Sequence, residues 1–246
     1  MVFGVRAVIE AIEAGNTIEK IFIKNDTTGD LSRELLALAK ERAIPVQRVP
    51  LEKLNRLTRK NHQGVVAFIS PVAFYDVEEV VTRAFEEGKT PFLVILDGVT
   101  DTRNFGAIAR TADCAGVDAI VIPEKGSAGV TPEAIKTSAG ALFHLPVCRC
   151  HNLLDTVRLL KTLGIKVAGA SEKTSDLYTC ADFTTPLAIV MGAEDTGISQ
   201  QVLRECDSLV AIPLEGKIGS LNVSVAAGIL MYEAVRQRTQ SCTNHK

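Results

Sequence analysis

"PFLVILDGVTDTRNFGAIARTADCAG", Pro91 to Gly116, starts as an apolar run of strand character and finishes as an apolar helix. Phe92–Leu96 lacks polar alternation, the pattern of a strand buried on both faces. Asp97 and Asn104 bracket the turn between strand and helix, and Arg110 follows among Ala107, Ile108, Ala109 and Ala112. Downstream, strand and helix signals keep alternating through Asp118–Ile122, Leu153–Leu163, Lys166–Ala170, Leu187–Met191 and Leu209–Pro213, before an apolar last helix. Short apolar strands separated by helices predict a parallel α/β sheet covered on both faces. In such sheets ligands sit beyond the carboxyl ends of the strands, where loops enter helices.

Upstream, Ala7–Ala14 reads as helix, Ile18–Lys24 as strand and Leu31–Arg42 as helix. Pro45–Val49 and Val65–Ile69 read as short strands around a helical Leu51–Thr58. Ser70-Pro71 ends this pattern, and the polar helical stretch Val77–Gly88 suits a connector. The expected organisation is a domain over 1–72, a linker over 73–90 and a second domain over 91–240. The tail "TQSCTNHK", 239–246, is expected to fray.

At 246 residues, 46% hydrophobic and 23% charged, the chain suits one or two globular domains with a sizeable core. The apolar runs are too short to cross a bilayer, and Met1 is followed by Val-Phe-Gly-Val-Arg rather than a signal peptide. The expectation is a cytoplasmic protein with no membrane partner. Six cysteines are scattered without pairing pattern, and Cys148-Arg-Cys150-His151 has no second Cys/His pair at zinc-site spacing, so reduced thiols and no metal are expected. A net charge of −2 gives no global attraction to nucleic acid. The distribution says more: residues 1–72 hold eleven Lys/Arg against eight Asp/Glu. Gln47–Gly64 concentrates Arg48, Lys53, Arg56, Arg59 and Lys60 against Glu52 alone. Such a patch can contact phosphates, although charge alone favours a solvated helix face.

Three strand ends carry unusual polarity. In the first, Asn104 is accounted for as a helix cap. Arg110, among small apolar neighbours, fits a partner that accepts two hydrogen bonds, a phosphate or carboxylate, or else an internal salt bridge. The second is "LAIVMGAEDTGIS", Leu187–Ser199, where a buried strand runs into Gly192, Glu194 and Gly197. Gly192 would admit close approach of a ligand to the backbone, and Glu194 reads as a surface acid or a binding residue. The third is "IPLEGKIGSLNVSVAAGILMYE", Ile212–Glu233, with Gly216, Lys217, Gly219, Ser220 and Asn222 at the mouth of the last helix. One cap explains Ser or Asn there, but not both flanking Leu221. No G-x-G-x-x-G and no Walker A sequence occurs, which disfavours a dehydrogenase or a P-loop enzyme.

The set N-F-G-A-I-A-R, V-M-G-A-E-D-T-G and I-P-L-…-S-L-N-V-S-V-A, in that order, resembles the three motifs of the SpoU-type branch of the SPOUT RNA methyltransferases, from Phe92 to about Arg238. "FGVRAVIEAI" at the start and "NHQGVVA" at Asn61–Ala67 resemble that family's small substrate-binding domain. With both halves matching, the similarity is greatest to members that methylate a guanosine 2'-oxygen in bacterial 23S rRNA. Thr102 stands where the family often has Pro, and Asp195 where it commonly has Gly or another small residue.

The resemblance implies a C-terminal α/β domain tied in a deep trefoil knot, with a parallel sheet, and a small N-terminal α/β RNA-binding domain. It implies S-adenosylmethionine as cofactor, held by Gly192, Ile212 and Leu221, with the glycines of the third stretch also letting backbone approach it. It nominates Arg110 as catalytic, with Asn104, Glu194, Ser220 and Asn222 completing the shared cofactor–substrate site. The reaction would be methyl transfer to a ribose 2'-hydroxyl, in 23S rRNA first, with a tRNA ribose as alternative and a non-catalytic RNA-binding protein on the same scaffold as another. A homodimer is implied, Arg110 reaching the partner's cofactor site; the apolar last helix (Val223, Val225, Ile229, Leu230, Tyr232) is compatible with that interface, and equally most of these residues fit ordinary core.

Overall fold

The computed structural model describes residues 1–243, with side chains through Gln240. The chain divides into two compact units, Met1–Ala73 and the remainder from Phe74.

The first unit runs β1 (Val2–Phe3), α1 (Val5–Glu13), β2 (Ile18–Lys24), α2 (Asp30–Glu41), β3 (Val46–Val49), α3 (Leu51–Leu57) and β4 (Val65–Ile69). Its sheet has the order β1-β4-β2-β3, with β2 parallel to β3 and antiparallel to β4. The period of two along β2 sorts the core: Ile21 and Ile23 pack with Val8, Ile9 and Ile12 of α1 and Leu35 of α2, while Phe22 packs on the other side with Val49, Leu54 and Val66.

The second unit continues with β5 (Phe74–Tyr75), α4 (Val77–Glu86), β6 (Phe92–Asp97), α5 (Thr102–Cys114), β7 (Ala119–Pro123), α6 (Pro132–Thr137), β8 (Val147–Cys150) and α7 (Leu153–Thr162). It ends with β9 (Lys166–Ala170), β10 (Leu187–Gly192), α8 (Gln200–Glu205), β11 (Ser208–Val210) and α9 (Val223–Thr243). The seven strands form one sheet in the order β11-β9-β10-β6-β7-β8-β5, every pair parallel. Strand order reverses at β6: the chain builds β7 and β8 on one side, then crosses to place β9, β10 and β11 on the other. The carboxyl ends of strands at such a reversal form the crevice where α/β proteins bind ligands.

Three boundaries differ from expectation. Residues 73–90 are not a free linker. Phe74–Tyr75 pair with β8, and Val77 and Val81 of α4 are buried in the second core, because Asp76 caps a helix with an apolar stripe. Strand signal over Leu209–Pro213 survives only through Val210, where pairing with Ala170 stops. The expected frayed tail is helical through Thr243, and its last three residues lie outside the described residues.

Helix α9 spans the sheet from end to end. At its start Asn222 Oδ1 accepts from Ser224 N at 3.0 Å and Val225 N at 3.4 Å, capping the first turn. Near its other end Arg238 donates to the carbonyls of Thr90 (3.0 Å), Pro91 (3.3 Å), Phe183 (3.0 Å) and Thr185 (2.9 Å), the segments that lead into β6 and β10. Burial pulls the Arg238 pKa below its usual value. No helix among the described residues is long and apolar enough to cross a membrane.

Candidate functional site

Three loops meet at the carboxyl ends of β6, β10 and the segment after β11. Asp101, not Asn104, caps α5, accepting from Arg103 N (2.9 Å) and Asn104 N (2.8 Å). Asn104 is thereby free of capping duty, and its Nδ2 donates to Glu194 Oε1 at 3.1 Å. Asn222 Nδ2 donates to the same Glu194 oxygen at 2.8 Å and to Asn104 Oδ1 at 3.0 Å. Val223 N adds a 3.4 Å contact to Glu194 Oε1. One carboxylate oxygen therefore gathers three N–H donors from two helix starts 118 residues apart along the chain. The surplus polarity around Leu221 divides accordingly: Asn222 is cap and clamp at once, while Ser220 keeps no hydrogen bond to any described residue.

Beside this clamp lies a cavity of about 310 Å³, within the roughly 300–1,000 Å³ range of small-molecule sites. Met191, Val210, Ile212, Leu214, Leu221 and Val223 give it apolar walls, and Gly192, Glu194 and Ser220 also line it. Of the residues expected to act here, the structure brings Gly192, Ile212, Leu221, Ser220 and Glu194 onto the cavity wall and ties Asn104 and Asn222 to Glu194. Gly216 and Gly219 do not line it. Gly192 has a further reason to be glycine. A Cβ there would stand 2.2 Å from the Gly197 carbonyl carbon and Ile198 N, because the Ala193–Gly197 turn folds back with Gly197 N donating to Ala193 O at 2.9 Å.

Arg110 is exposed on α5 and does not line this cavity. It sits six residues beyond Asn104, about 240° of helical rotation away, so the two side chains leave different faces. Among the described residues its guanidinium has no hydrogen bond or ion pair, which removes the internal salt-bridge reading.

Sequence reading missed the loop after β9. Ser171, Glu172 and Lys173 line the cavity together with Asp195. The signal was available: "ASEKTSD" is a polar run directly after a strand, the same placement that marked the other three stretches. Asp97, which brackets the first turn, accepts from Ser199 N at 2.7 Å and so joins the first loop to the second.

The Cys148–His151 stretch does other work. Burial pushes the Cys148 thiol up to about 12, and His151 Nδ1 meets Glu124 Oε2 at 3.1 Å. Among the described residues no group of three or more His, Cys, Asp or Glu could hold a metal ion.

The first unit has its own groove, of about 700 Å³, lined by Lys24, Asn55, Arg59, Lys60, Asn61 and Gln63 among others. His62 is buried: Nδ1 accepts from Gly64 N at 3.0 Å, which leaves Nε2 to donate to Asn55 Oδ1 at 2.9 Å. It holds the turn in which Gln63 (φ 48°) and Gly64 (φ 80°) take left-handed backbone. Lys53 lies over the Phe22 ring and Lys60 over Phe3, so part of the basic patch covers aromatic surface while Arg59 and Lys60 also face the groove.

Comparison with known proteins agrees with both units. The family model for SpoU rRNA methylases matches residues 91–232, and that for RNA 2'-O ribose methyltransferase substrate binding matches residues 1–75. A Bacillus subtilis protein assigned to the TrmH family of tRNA/rRNA methyltransferases is 38% identical over 237 residues, 96% of this chain and 95% of that protein. An rRNA methyltransferase from Sinorhizobium meliloti, solved with AdoMet bound, is 27% identical with a TM-score of 0.62, over 96% of this chain and 86% of that one. The A. aeolicus TrmH/SpoU tRNA modifying enzyme is 28% identical with a TM-score of 0.57, over 67% of this chain and 85% of that one. The knotted α/β fold of these methyltransferases is the fold of the second unit, a feature no periodicity could have signalled. With both family models matching in order, the chain belongs to the SpoU rRNA methylase family, whose members are S-adenosylmethionine-dependent RNA methyltransferases.

Proposed function

We propose that the protein transfers a methyl group to a ribose 2'-hydroxyl of 23S rRNA, a guanosine, with S-adenosylmethionine in the cavity of the second unit and the RNA docked on the first. The observation that carries the reading is the clamp: a cavity wall fixed by Asn104, Glu194 and Asn222 at the strand-order reversal. The cavity fits the cofactor chemically, with apolar walls from Ile212 and Leu221 for a purine and charged side chains for an amino-acid tail. When bound, that cofactor supplies a methyl already activated on a sulfonium.

The chain's own residues have the remaining tasks. Gly192, Ile212 and Leu221 present the cavity wall, and the clamped Glu194 keeps the loops after β6 and β10 in register with the start of α9. Fixed alignment of reacting groups can supply roughly 7–11 kcal/mol of barrier reduction. Arg110 cannot serve as a base, since guanidinium stays protonated in proteins. Its role is to hold negative charge, on the substrate's phosphate or on the developing alkoxide. Because it does not line its own chain's cavity, the reading places it at the cavity of a second copy. An apolar stripe supports such a dimer: Val225 is 51% and Tyr232 50% exposed at positions seven apart on α9, with Ile229 between them. Val223 and Leu230, for which the sequence left interface and core both open, are core.

The choice of rRNA over tRNA rests on coverage. The rRNA methyltransferase relative spans both units, whereas the tRNA enzyme spans 67% of this chain. The test is to incubate the protein with methyl-labelled cofactor and either 23S rRNA or tRNA, then hydrolyse in alkali. Ribose methylation blocks the neighbouring cleavage, so label in alkali-resistant dinucleotides from 23S rRNA is expected. Label in tRNA alone, or on bases, rejects the reading.

A further inference from the structure

Three charged side chains on the cavity wall are left over by everything above. Glu172 and Lys173 follow β9, and Asp195 follows β10. The two strands are adjacent and parallel, with Val190 beside Gly169, so the loops leave the sheet side by side. Among the described residues none of the three has a side-chain hydrogen bond or ion pair. Glu194, the fourth charge on the wall, is already taken by Asn104, Asn222 and Val223.

Two unpaired carboxylates and one unpaired ammonium beside the apolar walls from Met191, Ile212, Leu214 and Leu221 match a ligand with an apolar body and a zwitterionic end. We propose that Lys173 binds the α-carboxylate of the cofactor's amino-acid tail and that Glu172 and Asp195 bind its α-ammonium. This rests on the cavity being the cofactor site. Charge-assisted hydrogen bonds of this kind are roughly twice as strong as neutral ones, and the exposure of all three side chains reduces their worth. The expected contribution of Lys173 is therefore about five- to tenfold in affinity.

Calorimetric titration with three probes isolates each contact: S-adenosylmethionine, its decarboxylated form, and 5'-methylthioadenosine, which lacks the whole amino-acid tail. Lys173→Ala is expected to weaken S-adenosylmethionine about five- to tenfold and to leave the other two unchanged. The double variant Glu172→Gln/Asp195→Asn is expected to weaken S-adenosylmethionine and its decarboxylated form alike, with 5'-methylthioadenosine unaffected. That third ligand also reports that each variant is folded. Equal weakening of all three probes, or of none, overturns the assignment while leaving the cavity as the cofactor site. Failure of the unaltered protein to bind any of the three overturns both.

Discussion

The two ends of the seven-stranded sheet treat polar groups in opposite ways. Where β6 and β10 begin, Arg238 reaches four backbone carbonyls, and Gln237 accepts a hydrogen bond from Phe183 N at 2.8 Å through Oε1 while Nε2 donates to Ala181 O at 2.9 Å. Where the same strands end, Glu172, Lys173, Asp195 and Ser220 line a cavity, and none has a hydrogen-bond or ion-pair partner for its side chain among the described residues. One helix, α9, joins the two ends over about 24 Å of rise. Satisfied polarity holds the strands in register. Polarity without a protein partner lines the cavity, exposed to solvent.

That contrast can be broken from the stability side first. Arg238→Ala strips the donor from four carbonyls at once, and a loss of about 3–4 kcal/mol in unfolding free energy is expected from urea titration. Cofactor affinity of the protein that remains folded should be unchanged. Affinity that falls in step at zero denaturant would mean the two ends are not separable. At the other end, Asn222→Ala removes the α9 cap and one donor to Glu194, with an expected cost of about 1–2 kcal/mol. Here methyl transfer should suffer more than stability does. If thermal unfolding shifts and transfer does not, the clamp serves the fold alone.

The smallest effect concerns pH. Glu233, buried on α9, accepts from Arg236 at 2.6 Å, and that hydrogen bond holds its carboxyl below the usual range. A depressed carboxylate pKa adds stability above the unfolded-state value and loses it as pH falls through the folded-state value. Glu233→Gln should therefore cost under about 1 kcal/mol at neutral pH, with variant and parent converging in acid. A difference that is constant with pH contradicts this origin.

How much of this was legible in the sequence follows the same division. Strands buried on both faces announce themselves, as Phe92–Leu96 and Leu187–Met191 did, because their pattern depends on burial alone. Positions Asn104, Glu194 and Asn222 stood out as polar residues at strand ends, yet their mutual hydrogen bonds span 28 to 118 residues and no spacing rule reaches that far. The cap at α5 was misplaced by three residues because Asp101 and Asn104 are equally good caps by type. Residues 73–90 misled because the helix is polar on its outer face, while its stripe of Val77, Val81 and Ala84 is short. Arg238 was invisible as an anchor, since its partners are backbone carbonyls, which leave no mark in a sequence.

The central claim is that an arginine outside its own cavity completes a methyl-transfer site. Arg110→Ala, with S-adenosylmethionine affinity and RNA methylation measured separately, tests it most directly. The account expects methylation to slow about 100- to 1,000-fold with cofactor affinity within about twofold of the parent. Methylation at the parental rate contradicts it.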